Sequence, residues 1–162
     1  MTSVTLIATG PGDYTALRGA AVWRGQAVPE GGLEPLEVLA MLERWSADLQ
    51  AVPGWGTWLA IAEGEVVASV AIKAAPVTGA VDIGYAVAPA RRGQGLATAA
   101  VVALLAELAG HGVARVRAET AAGNPASGRV LEKAGFDRVG QGYDPEDGPL
   151  IRWHRTIASV AT

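Results

Sequence analysis

The chain contains the segment VAPARRGQGLAT at residues 87–98, where a predicted strand ends and an alanine-rich helix begins. Backbone N–H groups at a helix start lack partners within the helix, and the helix dipole favours negative charge there. Gly93 and Gly95 let the backbone approach a phosphate without side-chain clashes. Arg92 adds positive charge, and Thr98 adds a hydroxyl in the first turn. The segment predicts a diphosphate-binding loop, although a glycine-rich turn without a ligand would have the same composition.

Two other phosphate-binding folds place glycines in a similar loop. A dinucleotide-binding fold needs a third glycine where Thr98 stands and an acidic residue about 20 positions later, where Glu119 ends the next predicted strand. That fold is disfavoured because the loop follows three β-like runs and leaves only about 65 residues for further strand–helix repeats. A dinucleotide-dependent enzyme therefore stays as an alternative. A nucleoside-triphosphate loop is excluded because no Gly-Lys-Ser/Thr sequence follows.

Hydrophobic periodicity extends the interpretation outward from this loop. It predicts strands at residues 4–8, 55–63, 66–75, 81–87 and 113–119, a further strand from residue 136, and a last one at 150–157. It predicts helices at residues 14–23, 36–50, 96–109 and 124–134. The crossover through residues 96–109 implies a parallel strand pair within a mixed α/β sheet. No linker or internal repeat is visible, so we expect residues 1–162 to form one domain.

Composition excludes several classes of protein and partner. Half of the 162 residues are hydrophobic and 18% are charged, which excludes a disordered chain. The net charge of −3 predicts no nucleic-acid partner. Cysteine is absent, which excludes thiolate metal sites and a cysteine nucleophile, and the two histidines stand apart, so we expect no metal. We see no targeting segment and no membrane-length apolar run, and so expect a cytoplasmic protein without membrane contact.

Three segments together resemble one known family. Residues 92–97, RGQGLA, resemble the Q/R-x-x-G-x-G/A pyrophosphate motif of the GNAT superfamily of acyl-CoA N-acyltransferases. Residues 83–89, IGYAVAP, resemble the fourth strand of that family. Residues 124–127, NPAS, with residues 130–136, VLEKAGF, resemble a segment of the RimJ/RimL-like branch. The resemblance covers about residues 55 to 157. The pyrophosphate motif and the segment at residues 124–136, at this separation, are together a specific signal.

The resemblance implies a fold and an activity. The implied fold is a mixed, mostly antiparallel sheet of six to seven strands with about four flanking helices and a V-shaped split between the fourth and fifth strands. The implied activity is acetyl transfer from acetyl-CoA to a primary amine, on either a protein N-terminus or a small molecule. The resemblance also suggests a homodimer. A non-catalytic acyl-CoA sensor on the same scaffold is a further alternative.

The resemblance also assigns site residues. Backbone groups of Ala86 and Val87 would contact the pantetheine arm, and the N–H of Val87 would polarise the thioester carbonyl. The pyrophosphate would be held by Arg92, Gly93, Gln94, Gly95, Leu96, Ala97 and Thr98. Asn124 would contact the pantetheine arm, and Ser127 would stabilise or protonate the departing thiolate. From the residues alone, Asn124 before Pro125 also predicts a helix N-cap, and Ser127 is equally compatible with plain solvation.

Two parts of the expected chemistry lack a clear residue. Many family members carry a tyrosine four residues before the Gly-Phe pair as leaving-group acid, whereas Leu131 occupies that position here. Tyr143 is an outside candidate, in a segment predicted to be a loop. A general base must also deprotonate an alkylammonium group, whose pKa is about 10.4. The candidate carboxylates are Asp82, Glu30, Glu34 and Glu119, of which Glu119 is the first choice because the fifth strand faces the acceptor.

Overall fold

The computed structural model describes residues 3–33, 36–48, 56–74 and 76–157, and within these ranges the chain forms nine strands and four α-helices. The strands are β1 (Thr5–Ala8), β2 (Val22–Trp23), β3 (Gln26–Ala27), β4 (Thr57–Ala62), β5 (Glu65–Ile72), β6 (Ala80–Val87), β7 (Arg115–Ala121), β8 (Asp137–Asp144) and β9 (Gly148–Thr156). The helices are α1 (Pro11–Leu17), α2 (Leu36–Asp48), α3 (Leu96–Gly110) and α4 (Pro125–Lys133).

Seven strands form a continuous sheet in the order β1-β4-β5-β6-β7-β9-β8. Neighbouring strands pair antiparallel except β6 and β7, which run parallel because α3 carries the chain back between them. The short β2–β3 hairpin joins the sheet where Ala27 pairs with Glu65 of β5. The expected mixed, mostly antiparallel α/β fold with about four helices is confirmed, and the two-residue strands β2 and β3 are additions to it.

Helices cover both faces of the sheet because successive strand residues point to opposite faces. In β4, Trp58 and Ala60 pack with α3 and α4, whereas Leu59 packs with α1 and α2. Helix α3 carries one ionisable residue, Glu107, and buries six side chains against the sheet: Leu96, Ala100, Val101, Leu104, Leu105 and Leu108. Burying each leucine stabilises the fold by about 1.5–3 kcal/mol. This packing fixes the start of α3, and with it the loop that precedes the helix.

The predicted helix over residues 14–23 is wrong in its second half. Helix α1 ends at Leu17, and Gly19 follows in the left-handed region with φ +69°. The next residues form the β2–β3 hairpin, whose turn residues Arg24 and Gly25 both have positive φ, as tight hairpin turns require. Trp23 is buried there and donates from its indole nitrogen to a carboxylate oxygen of Asp13 at 3.3 Å. Arg-Gly is a weaker hairpin signal than Asn-Gly, which explains the error.

The predicted loop over residues 141–148 is also wrong, because β8 continues to Asp144. The tight turn after it is held by the Asp144 carboxylate, which accepts from the N–H groups of Glu146 (2.8 Å) and Asp147 (3.0 Å). Those hydrogen bonds hold the pKa of Asp144 below its ordinary value. Tyr143 lies in this edge strand and is 72% exposed. Glycines in the segment concealed the strand, since isolated glycines are unfavourable within strands.

Some predicted boundaries lie outside the described residues. These are the ends of predicted elements at Leu49, Gln50, Trp55 and Ala75, and the candidate base Glu34. No helix in the described ranges has the length and apolar character needed to cross a membrane.

Candidate functional site

The sheet opens between β6 and β7. These strands pair only through residues 80–82 and 115–117. Beyond that point β6 stays paired with β5 as far as Val87, and β7 stays paired with β9 as far as Ala121. Residues 83–87 and 118–121 therefore line a gap, which is the V-shaped split expected between the fourth and fifth predicted strands.

Alternate peptide groups of β6 face this split. In an antiparallel ladder, every second residue directs its N–H and C=O at the partner strand. The N–H of Ala88 donates to the carbonyl of Val67 in β5 at 2.8 Å, so Ala86, two residues earlier, also belongs to that ladder. Tyr85 and Val87 alternate with these two residues, so their N–H groups point away from β5 and toward the split. Val87 thus has the orientation that a carbonyl-polarising donor needs, whereas the N–H of Ala86 faces β5 and that of Tyr85 faces the split.

The loop before α3 has the backbone shape of an anion-binding site. Gly93 and Gly95 both have φ +76°, in the left-handed region that favours glycine. A Cβ added at either position would meet no atom within 4 Å, so open space lies beside both. Gly95 is the N-cap of α3, and within the described residues no side chain caps this helix and its first turn contains no acidic residue. The positive end of the helix dipole therefore faces solvent-filled space.

The two arginines of the loop have different environments. Arg91 forms a two-pronged ion pair with Glu65, with nitrogen–oxygen distances of 2.6 and 2.9 Å, and this contact raises the pKa of Arg91. Arg92 is exposed and, among the described residues, has no ion-pair partner. Arg92 is therefore the arginine whose charge remains available to a ligand.

A cleft of about 650 Å³ runs from this loop into the split. Ten of the residues expected to hold a cofactor line it: Ala86, Val87, Arg92, Gly93, Gly95, Leu96, Ala97, Thr98, Asn124 and Ser127. Gln94 does not line the cleft but lies in a separate depression beside Glu65.

Helix α4 brings two of the expected residues to the cleft. Asn124 is the N-cap of α4 and its side-chain oxygen accepts from the N–H of Ser127 at 3.3 Å, with Pro125 in the first turn. The predicted N-cap is thus confirmed, and the cap also fixes the backbone of Ser127. Leu131, at the position where a tyrosine was expected, is fully buried in the core.

Ser127 has a partner that the sequence did not indicate. The Tyr85 hydroxyl lies 2.7 Å from the Ser127 Oγ and 2.9 Å from the Ser127 carbonyl oxygen, to which it can only donate. Burial raises the pKa of Tyr85 above its ordinary value, and the hydrogen bond with Ser127 partly opposes that effect. The phenol is therefore neutral throughout the physiological pH range.

A second, smaller pocket of about 220 Å³ opens on the α2 side of the split. Its α2 wall consists of Val38, Met41, Leu42 and Trp45, and its sheet wall includes Ser69, Lys73, Ile83, Gly84 and Glu119. Tyr85, Ala86 and Ser127 line both this pocket and the larger cleft. The two cavities therefore share three lining residues.

Of the three candidate carboxylates that the structure describes, Asp82, Glu30 and Glu119, Glu119 is the one that lines the smaller pocket. Its Oε2 lies 3.5 Å from the Arg152 Nε on the neighbouring strand β9. Asp82 instead pairs with Arg117 at 3.1 Å, at the closed end of the split. Glu30 lies in a different depression, beside Leu17 and Leu39.

Sequence reasoning missed two cations of the cleft. Arg129 and Lys133 of α4 both line it, one helical turn apart. The sequence could have predicted this, because Arg129 and Lys133 are four residues apart in a predicted helix and therefore lie on one face of it. Within the described residues, no group of three or more His, Asp or Glu side chains is arranged to hold a metal ion.

Solved structures share this architecture. RimL, a ribosomal L7/L12 alpha-N-protein acetyltransferase in complex with coenzyme A, superposes with a TM-score of 0.74 at 21% identity, over 98% of this chain and 97% of that chain. AAC(6')-Ib in complex with ribostamycin and coenzyme A gives 0.65 at 24% identity, over 95% and 93%. A chimera of the spermidine N-acetyltransferase SpeG from Vibrio cholerae gives 0.67 at 14% identity, over 96% of each chain. At these identities the similarity establishes the fold.

The family of the chain is identified by sequence comparison. No curated protein matches the chain. The family model described as an acetyltransferase (GNAT) domain matches residues 7–137, which is most of the chain. Taken with the split sheet and the glycine loop at the start of α3, this match shows that the chain belongs to the GNAT acetyltransferase family.

Proposed function

We propose that the chain transfers the acetyl group of acetyl-CoA to a primary amine by direct attack of the amine on the thioester. Membership of a family that uses acetyl-CoA supports the donor. The observation that carries the proposal is that the large cleft and the small pocket share Tyr85, Ala86 and Ser127 in their walls. Holding two reactants together at such a junction can lower the barrier by about 7–11 kcal/mol without a covalent enzyme intermediate. A chain without cysteine is suited to that mechanism.

The cleft fits the donor in shape and charge. The open space beside Gly93 and Gly95, at the uncapped start of α3, suits a diphosphate. Arg92 would neutralise part of its charge, and Thr98 of the first turn would add a hydroxyl. Arg129 and Lys133 extend the positive lining along α4. The pantetheine arm would then enter the split beside the N–H groups of Tyr85 and Val87, with the acetyl thioester at the junction.

Three residues would carry the chemistry. The N–H of Val87 would donate to the thioester oxygen, on which charge develops as the amine attacks; such donors are worth about 3–4 kcal/mol in other enzymes. Glu119, directly or through water, would take the proton that the ammonium group must lose before attack. Ser127 would donate a hydrogen bond to the departing sulfur.

The pocket suggests what kind of amine enters. Its α2 wall is apolar and aromatic, and Glu119 offers a negative charge to an incoming ammonium group. RimL is named as an alpha-N-protein acetyltransferase and SpeG as a spermidine N-acetyltransferase, so proteins of this fold serve both acceptor classes. We therefore retain both a protein N-terminus and a small-molecule amine as acceptors. The expected homodimer, the single domain and the cytoplasmic location stay predictions.

The two alternatives differ in their present support. A dinucleotide-dependent enzyme loses its basis, since the described strands pair parallel only at β6–β7 and at the single residue pair of β3–β5, and do not form a doubly wound parallel sheet. A non-catalytic acyl-CoA sensor keeps one specific observation, the buried Leu131 where the family's tyrosine is expected.

A transfer assay distinguishes enzyme from sensor. Release of free thiol from acetyl-CoA would be followed with a panel of amines that includes N-terminal peptides, polyamines and amino acids. Amine-dependent thiol release, with the acetylated amine identified by mass spectrometry, would support the enzyme. Binding of acetyl-CoA without transfer to any member of a broad panel would support the sensor.

A further inference from the structure

The Tyr85–Ser127 contact has two possible arrangements of its hydrogens. The Tyr85 hydroxyl carries one hydrogen and lies within reach of both the Ser127 Oγ (2.7 Å) and the Ser127 carbonyl (2.9 Å). If Tyr85 donates to the carbonyl alone, the Ser127 hydroxyl must donate to Tyr85 and turn away from the cleft. If Tyr85 shares its hydrogen between the carbonyl and the Oγ, the Ser127 hydrogen is free to point into the cleft. The choice between these arrangements determines whether Ser127 can serve a ligand.

We propose that Tyr85 is a positioning residue that donates to the Ser127 Oγ and so directs the Ser127 hydroxyl at the sulfur of the departing coenzyme A. This inference rests on the proposed function. In the transfer, the amine nitrogen bonds to the acetyl carbon, the carbon–sulfur bond breaks and its electron pair stays on sulfur. The proton that the nitrogen sheds neutralises the sulfur. Ser127 stabilises the sulfur by a hydrogen bond and ends the step unchanged, as does Tyr85.

The surroundings restrict Ser127 to this role. Its backbone is held by the Asn124 cap at 3.3 Å, and its side chain by Tyr85, so Oγ is fixed from two sides at the junction of the cavities. Leu131, at the α4 position where many family members carry a tyrosine, is fully buried and has no hydroxyl. The side chain of Tyr85 comes from β6 and lines both cavities, so β6 supplies the phenol that α4 does not.

Tyr85 also has the protonation state that a permanent donor needs. Burial raises the pKa of its phenol, so the hydrogen is retained at every pH at which an amine acceptor would be assayed. The same property makes Tyr85 a poor source of protons for the sulfur. A role through Ser127 is therefore favoured over direct proton transfer from Tyr85.

The test combines Tyr85→Phe, Ser127→Ala and the double variant, with Tyr143→Phe as control. Tyr143→Phe removes the same atom from a tyrosine of edge strand β8 that is largely exposed and lines neither cavity, which also removes it as a candidate acid. Steady-state kinetics with acetyl-CoA and an accepted amine would be measured for each, together with calorimetric acetyl-CoA affinity and thermal unfolding. We expect Tyr85→Phe to lower kcat by about tenfold to 100-fold, as displaced catalytic groups do. The affinity for acetyl-CoA should change less than about threefold, which is small beside that loss. The double variant should be no slower than Ser127→Ala alone, and the control should match wild type.

Three results would overturn the inference. They are an unchanged kcat in Tyr85→Phe, a loss confined to acetyl-CoA affinity, or a double variant whose loss is the product of the two single losses. A wild-type protein that transfers acetyl to no amine would instead remove the proposed function and the inference with it. A second measurement avoids the Tyr85 variant altogether. Ser127→Ala should raise the pH at which Tyr85 ionises in an ultraviolet titration, and an unchanged titration would contradict the contact.

Discussion

Gly128 lies so close to Trp153 that a Cβ at position 128 would stand 3.1 Å from Cζ2 of the indole. The indole is fixed in turn, because its nitrogen donates to the Thr120 hydroxyl at 2.9 Å within the core. Glycine thus allows α4 to approach β7 and β9 closely at the residue that follows Ser127. This contact links the packing of the core to the position of a proposed catalytic side chain.

Gly128→Ala tests that link. Alanine favours a helix over glycine by about 1 kcal/mol, but the added methyl must push α4 or Trp153 aside by a few tenths of an ångström. We expect kcat to fall severalfold while thermal stability changes little, since the two effects on stability oppose each other. Gly110→Ala, in α3, is the matched control because a Cβ there meets no atom within 4 Å. A variant at position 128 with unchanged kcat would show that this approach does not position Ser127.

The glycine at the start of α3 allows a test of the cofactor loop. Gly95→Ala forces a Cβ into the left-handed region, at a cost of about 1–2 kcal/mol, and into the space proposed for the diphosphate. Gly112→Ala carries the same strain at the other end of α3, with φ +82° and open space around it. Both variants should lose similar stability in thermal unfolding. We expect calorimetry to show weaker acetyl-CoA binding for Gly95→Ala alone, and equal affinities would argue against the loop as the diphosphate site.

The two loop arginines should separate binding from stability. Arg92→Ala removes a guanidinium available to phosphate, and should weaken coenzyme A more than it weakens dephosphorylated pantetheine. Arg91→Ala removes the partner of Glu65, and should lower the thermal unfolding temperature only slightly, as the loss of a partly exposed ion pair does. Calorimetry with both ligands checks the first expectation. Equal losses for coenzyme A and pantetheine in Arg92→Ala would mean that Arg92 does not touch phosphate.

A carboxylate pair provides the test of the general base. Glu119→Gln should lower kcat by about 100-fold or more if Glu119 removes the amine proton. Asp82→Asn is its control, because Asp82 also pairs with an arginine on a neighbouring strand but lies at the closed end of the split. The loss in Glu119→Gln should shrink at high pH, where the free amine needs no base. A Glu119→Gln enzyme as fast as Asp82→Asn would transfer the role to water or to another residue.

Local chemistry explains what the sequence could predict. The loop at Gly93 and Gly95, the Asn124 cap and the charge-poor helix α3 each depend on residues a few positions apart. These features were therefore accessible to reasoning about turns, caps and periodicity. The V-shaped split was instead implied by the resemblance to the GNAT superfamily.

Tertiary contacts explain what it could not predict. Tyr85 and Ser127 are separated by 42 residues, and no local pattern links a strand tyrosine to a helix serine. The pairing of Glu119 with Arg152 likewise depends on the register of β7 against β9. Trp23 is likewise a core residue because the β2–β3 hairpin turns it inward.

Calorimetry with acetyl-CoA, coenzyme A and NADH on one sample of the wild-type protein tests the central claim most directly. The cleft beside Gly93, Gly95 and Arg92 predicts that acetyl-CoA and coenzyme A bind with similar affinity, because both present the same diphosphate and pantetheine arm. It predicts no binding of NADH at the same concentrations. Binding of NADH without binding of either coenzyme A form would contradict the account.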